Sequence, residues 1–257
     1  MRNDYDRTDV KSIAEHSKKL VGYSLNEVYK DLDELNKANK GRLGQLVEEV
    51  HFGIKNNSEE EPDFPEAGVE LKVTPVKNIK KRSGAKKYIK RKGYSVKERL
   101  VIKLINYCEV HKENWESNSL MKKLRLLLLM FYLYKKELSV KDYKFILSKI
   151  WDPPARDLEI IKKDWETIIN KVKEGKAHEI SEGDTMYLGA CTKASSSSDR
   201  TEQPFSEELA KPRAFSLKRS YMDEVFNRLY KQKQTKERKS LWEDKEKSLE
   251  DKLKNIF

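Results

Sequence analysis

Between Pro62 and Lys72 the chain reads Pro-Asp-Phe-Pro-Glu-Ala-Gly-Val-Glu-Leu-Lys, placing an aspartate, a glutamate and a lysine at a spacing suited to holding a divalent metal beside a phosphodiester. After Gly68 the side chains alternate with the period of a strand: Val69 and Leu71 point to one side, Glu70 and Lys72 to the other. Glu70 and Lys72 thus share a face, about 7 Å apart in backbone rise. Asp63 precedes the strand, beyond a turn built from Pro65 and Gly68 that lets it fold back to the same spot. An E-x-K alone is ordinary charge alternation on a half-buried strand; the Pro-Asp in front and the wider pattern below set this one apart. Hydrolysing a phosphodiester requires a neutralised scissile phosphate, a water in line and a stabilised leaving oxygen. Mg²⁺ keeps several of its waters, so Asp63 and Glu70 suffice as carboxylate ligands, with the Leu71 carbonyl as a further one. Lys72 suits orienting the attacking water and offsetting transition-state charge. It suits a base as well if a nearby cation lowers its pKa, and both roles stay open.

The elements that must position these residues follow from periodicity. Thr8 or Asp9 caps a first helix with Ile13 and Leu20 buried, and Ser24 starts a second bearing Leu25, Val28, Leu32 and Leu35. Gly41 to Val50 reads as a third helix, with Glu48 beside its apolar stripe. An acidic loop, Asn56 to Glu61, leads into the strand of Glu70 and Lys72. Strands are then expected over Arg99–Tyr107, which β-branched residues tip from helix towards strand, and over Leu124–Tyr134. Tyr143, Ile146, Leu147 and Ile150 have helical spacing, and a longer helix runs from Asp157 to about Glu174, stopped at Gly175. Short strands at Thr185–Cys191 and Ala214–Lys218 flank a Ser195–Ser198 run read as a flexible loop that orders on binding, and a helix covers Tyr221–Tyr230. From Lys231 onward a thinly apolar, charged helix or linker follows.

Composition narrows the partners. Of 257 residues, 38% are charged and 37% hydrophobic, so globular folding is supported under a charge-rich surface. Net charge is +11, and Lys77 to Lys103 holds twelve Lys/Arg against one acid, Glu98, with Lys90, Arg91 and Lys92 in its middle. Such a cluster attracts polyanions in a salt-dependent way. Cys108 and Cys191 make neither a disulfide framework nor a zinc spacing, which suits a reducing cytoplasm. The first six residues are too polar for a secretory signal, and the eleven apolar residues to Tyr134, broken by Arg125, are too few to span a bilayer.

Pro62–Lys72 resembles the PD-(D/E)xK nuclease motif. With Gly41-Arg42-Leu43-Gly44-Gln45-Leu46-Val47-Glu48 and Gly68–Lys72, the chain is similar to the MutH and Sau-three-A type family of GATC-specific endonucleases, closest to the type II restriction branch. Ser95–Tyr107, Gly175–Gly183, Cys191-Thr192-Lys193, Arg213–Lys218 and Tyr221-Met222 extend the resemblance over roughly 41–230. It implies a mixed α/β, restriction-endonuclease-like sheet flanked by helices in two lobes around DNA. The implied endonuclease domain is 1–230, with a catalytic lobe holding helix 41–50 and strand 68–73 and a reading lobe near 175–230; 231–257 is a tail or a linker to a second such domain. It implies Mg²⁺ on Asp63 and Glu70, Lys72 as the catalytic lysine, Glu48 as an additional acid and Lys123 as a further lysine near the site.

The same resemblance implies a groove-entering loop at Cys191-Thr192-Lys193. Lys193 is then the base contact, suited to the O6 and N7 acceptors of guanine, and Arg213, Ser216 and Lys218 are further DNA contacts. Cys191 and Ser216 replace an arginine and a tyrosine of MutH, which favours cutting GATC irrespective of adenine methylation. The rivals are a MutH-like nickase and a non-catalytic DNA-binding module. A palindromic site cut on both strands makes self-association on DNA an expectation.

Overall fold

A computed structural model describes residues 4–29, 32, 43–55, 61–79 and 93–254, the last fourteen as backbone only. Lys90, Arg91 and Lys92, the first two residues of the expected third helix and most of the acidic loop lie outside the described residues. Asp9 caps α1 (Val10–Lys18), its carboxylate accepting the N–H groups of Lys11 and Ser12. Ser24 and Glu27 form a reciprocal capping box on α2 (Leu25–Val28). Then α3 (Leu43–Leu46) passes directly into a π-helical turn, Val47–His51.

The strands form two sheets. In the first, β1 (Glu70–Asn78) pairs antiparallel with β2 (Tyr94–Val96) and parallel with β4 (Leu127–Leu133), which pairs antiparallel with β5 (Phe145–Trp151). The second has the order β3 (Leu100–Leu104), β7 (Arg213–Leu217), β6 (Leu188–Thr192), all antiparallel. Two short helices, α4 (Tyr107–Val110) and α5 (Ser119–Leu124), lead into β4. The long helices are α6 (Ala155–Lys173), beside β6, and α7 (Arg219–Lys254), beside β2 and β5. The architecture is the mixed α/β one expected.

The first sheet divides the core. Leu127, Leu129 and Phe131 of β4 join the cluster that includes the second sheet, α6 and α7, whereas Leu128 and Met130 join the one around Ile13, Leu46 and Phe52. This is strand alternation on a sheet buried on both faces. Because Glu70 lies beside Leu127 and Lys72 beside Leu129 in the parallel register, both project to the side facing the second sheet.

Two expectations are corrected. Tyr143, Ile146, Leu147 and Ile150 are not helical: seven residues from Phe145 form the edge strand β5. A bulge between the Phe131–Leu147 and Tyr132–Phe145 pairs offsets the alternation and produced the helix-like spacing. The apolar run begins as a strand only at Leu127, because Asn118 caps α5 through its side chain and carries the helix to Leu124. Ser195–Ser198 is a turn, with Asp199 accepting the N–H groups of Ser195 and Ser196. After Leu229 the charged segment continues α7 to Lys254.

Candidate active site

Asp63 is brought back onto β1 as a local consequence of the turn. Phe64 and Val69 exchange backbone hydrogen bonds of 2.9 and 3.2 Å, and Gly68 closes the turn at φ 65°, a left-handed value that favours glycine. The Leu71 N–H then donates to Asp63 Oδ2 at 2.8 Å. Glu70 is 2% exposed, with Lys72 Nζ 2.6 Å from its Oε1 and Lys123 Nζ 3.5 Å from its Oε2. Lys123 arrives from the last turn of α5. Glu48 comes from the π-helical turn, next to the half of β1 that lacks β2, with Gly44 and Val73 close by.

The electrostatics are those of carboxyls crowded out of water. Burial, then the charge of Asp63, pushes Glu48 up to about 7, with Glu70 and Glu49 adding and Lys72 opposing. Burial, then the charge of Glu70, raises Asp63 above the usual aspartate range, against Lys72, the Leu71 N–H and Lys123. Among the described residues no group of three or more His, Cys, Asp or Glu closes as a metal cage. Mg²⁺ does not need one: one or two carboxylates with retained waters are its usual protein share. The residues fit such an ion on one observation in particular. Glu70 Oε2 is buried and accepts no hydrogen bond, with Lys123 Nζ 3.5 Å away, beside an Asp63 whose charge burial and Glu70 disfavour.

An open groove of about 1230 Å³ runs from Lys72 to the end of the second sheet, where Cys191, Thr192, Lys193 and Arg213 line it. Thr192 and Lys193 are exposed, and Lys193 is anchored by its N–H to Pro212 O at 2.7 Å. Cys191 is 7% exposed. Three expected DNA contacts are differently employed. Ser216 is fully buried. Lys218 donates to the carbonyls of Glu182 and Thr185, and Arg213 to those of Ala190 and Ile180. Ser216 and Lys218 do not line the groove, whereas Arg213 both lines it and braces backbone carbonyls.

Sequence reading passed over other groove residues: Lys97, Arg99 and Arg219, and the tyrosines Tyr132, Tyr134 and Tyr143. The cations were visible only as charge, and the tyrosines were hidden in apolar runs.

A family model described as DNA mismatch repair enzyme MutH matches residues 52–164. The type II restriction enzyme Sau3AI of Staphylococcus aureus is 40% identical over 245 residues, 93% of this chain and 47% of that enzyme. The DNA mismatch repair protein MutH of Shewanella amazonensis is 26% identical over 83% of this chain and 92% of its own length. That of Vibrio campbellii is 25% identical over 85% and 93%. The chain spans about half the length of the Sau3AI enzyme.

Proposed function

Starting from a chain whose residues 52–164 are a MutH-family domain, we propose that it is a type II restriction endonuclease hydrolysing double-stranded DNA at GATC with Mg²⁺. The observation that carries the reading is the convergence of Asp63, Glu70 and Lys72 at one end of the groove that Thr192 and Lys193 line. The 40% identity with a type II restriction enzyme, along nearly all of this chain, places it nearer that branch than the repair proteins at 26% and 25%.

Asp63 and Glu70, with the Leu71 carbonyl, are the residues to hold Mg²⁺, which when bound supplies charge neutralisation at the scissile phosphate and a more acidic water. Lys72, 2.6 Å from Glu70, orients the attacking water or takes its proton, and its ammonium offsets charge growing on the phosphoryl oxygens. Lys123 steadies the other Glu70 oxygen. Glu48, its carboxyl pushed up to about 7 by burial and Asp63, is the additional acid at the edge of the site. In-line attack on phosphorus with departure of the 3′-oxygen leaves a 5′-phosphate. Lys193 reads a guanine edge, Thr192 and Cys191 frame it, and the basic stretch with Lys90, Arg91 and Lys92 holds backbone. With Ser216 buried and a cysteine at 191, adenine methylation goes unread.

A second reading, a MutH-like nickase, is favoured by the coverage of over nine-tenths of two MutH proteins. One digestion separates them: a supercoiled plasmid bearing one unmodified GATC becomes linear with the restriction enzyme and accumulates as nicked circle with the nickase. A third reading, a DNA-binding module without cleavage, is sunk by either product. Linear product whose yield rises with the square of protein concentration marks self-association on DNA.

A further inference from the structure

Past Lys72 the groove continues along β1 to a cluster that the cutting centre does not use. Tyr132 and Tyr134 stand at the end of β4 and Tyr143 just before β5. The Tyr132 and Tyr143 rings stack with centroids 5.2 Å apart, and the Tyr134 ring lies 5.5 Å from Tyr143. Lys97 Nζ sits over the Tyr134 ring, 4.5 Å from its centroid. All four residues line the groove that contains Lys72. The backbone fixes them there: Lys97 N–H donates to Pro75 O and Tyr134 N–H to Val76 O, each at 2.8 Å, and Tyr132 pairs with Pro75.

The reading as ordinary packing is incomplete. Tyr143 does belong to the core at 7% exposure, and the other two rings pack against it. Yet a tyrosine buried for packing normally finds a partner for its hydroxyl, and none of these three hydroxyls hydrogen-bonds to another described residue. Lys97 likewise forms no ion pair among the described residues. It rests on an aromatic face, which attracts the ammonium without neutralising it. Hydroxyl donors and an unneutralised cation on one groove wall suit the oxygens of a polyanion. Glu98, exposed beside them, is the acid whose charge reaches Tyr132 and opposes that use.

We propose that Lys97, Tyr132 and Tyr134 form a phosphate-binding shelf that grips the DNA backbone on one flank of the cut. It rests on the nuclease reading above. The shelf and Lys72 line the same groove, so a duplex whose scissile phosphate lies at Lys72 presents a flanking stretch of its backbone to the shelf. Lys97 contributes the charge, Tyr134 and Tyr132 directional donors, and Tyr143 the ring that backs them.

The test measures binding of GATC and unrelated duplexes by the full chain, metal withheld, from 50 to 200 mM salt (about the range where such contacts register). Lys97→Met is expected to shallow the slope of log K against log salt by about 0.9 on both duplexes. Tyr134→Phe is expected to weaken binding about threefold to tenfold with the slope kept, and Glu98→Gln to tighten it. With methylphosphonates placed one at a time along the flank of the cut, one position should abolish the difference between wild type and Lys97→Met, and the absence of any such position would overturn the shelf. Wild-type slope and affinity in both Lys97→Met and Tyr134→Phe, with the native protein still cutting DNA, overturn the shelf alone. A native protein that neither binds nor cuts DNA overturns the shelf and the nuclease reading together. Melting temperatures near wild type establish that each variant is folded.

Discussion

At the scale of single residues, the site is a contest between buried carboxyls and two lysines. Lys72 and Lys123 flank Glu70, while the charge of Glu48 is suppressed by burial and Asp63 and that of Asp63 by burial and Glu70. Lys72→Met should lower cleavage by about 10²–10³, as losing a preorganised charge at a transition state does, and leave duplex binding within severalfold. A cleavage assay beside a binding assay checks this. Glu48 has its folded pKa raised to about 7 from 4.5, so the folded state binds more protons than the unfolded one between those values. Without metal its contribution to stability is present below about pH 4.5 and lost as pH rises to about 7. Glu48→Gln should therefore melt higher than wild type at pH 8 and alike at pH 4.5, while cutting less. Added Mg²⁺ should raise the wild-type melting temperature and fail to do so in Asp63→Asn. Asp63, Glu70 and Lys72 were legible because a two-residue period and a Pro-Gly turn are local signals. Glu48 was legible only through the resemblance, since a helical glutamate looks solvated until a π-helical turn and β1 enclose it.

At the scale of elements, two buried devices hold the walls of the groove. Asp164 of α6 accepts the N–H groups of Met186, Tyr187 and Leu188, fixing where β6 enters and so where Thr192 and Lys193 emerge. Asp164→Ala leaves three donors unmet and should cost about 3–5 kcal/mol in a denaturant melt, with discrimination between GATC and altered sites loosened in the survivors.

On the other side, His16 and His51 stack at 4.3 Å. Each aims Nε2 at the other's carbonyl, so both carry the proton there, and Tyr29 OH reaches His51 Nδ1. Burial, then its neighbour His16, pushes His51 down to about 3. The unfolded chain thus binds more protons between pH 3 and 6.5, and this contribution to stability is lost as pH falls below 6.5. The wild-type melting temperature should drop from pH 7 to 5 more than that of His51→Gln. Helix caps at Asp9 and Ser24 could be read from the chain. The histidine pair joins residues 35 apart in sequence and leaves no local pattern, and β5 misled because its bulge imitates a helical period.

At the scale of the whole molecule, two sheets bring Lys72 with its carboxylate neighbours and the Cys191–Lys193 strand end to one groove, and the proposed site-specific nuclease draws on both walls. The basic excess was plain in the sequence, but which cations line the groove depends on contacts between distant segments. Lys193 and Arg213 line it, Arg213 while also bonding backbone carbonyls, whereas Lys218 does not. If Lys193 reads a base, Lys193→Ala should narrow the affinity gap between GATC and altered sites by about 1–3 kcal/mol, whereas a uniform loss on every sequence marks a phosphate contact. The central claim is best tested by incubating the native protein with Mg²⁺ and plasmids of known GATC content, methylated and unmethylated, and mapping the ends. Both strands should be cut at each GATC regardless of methylation, with 5′-phosphates, and Asp63→Asn should not cut. Intact plasmid with the native protein, or cleavage undiminished in Asp63→Asn, would contradict the claim.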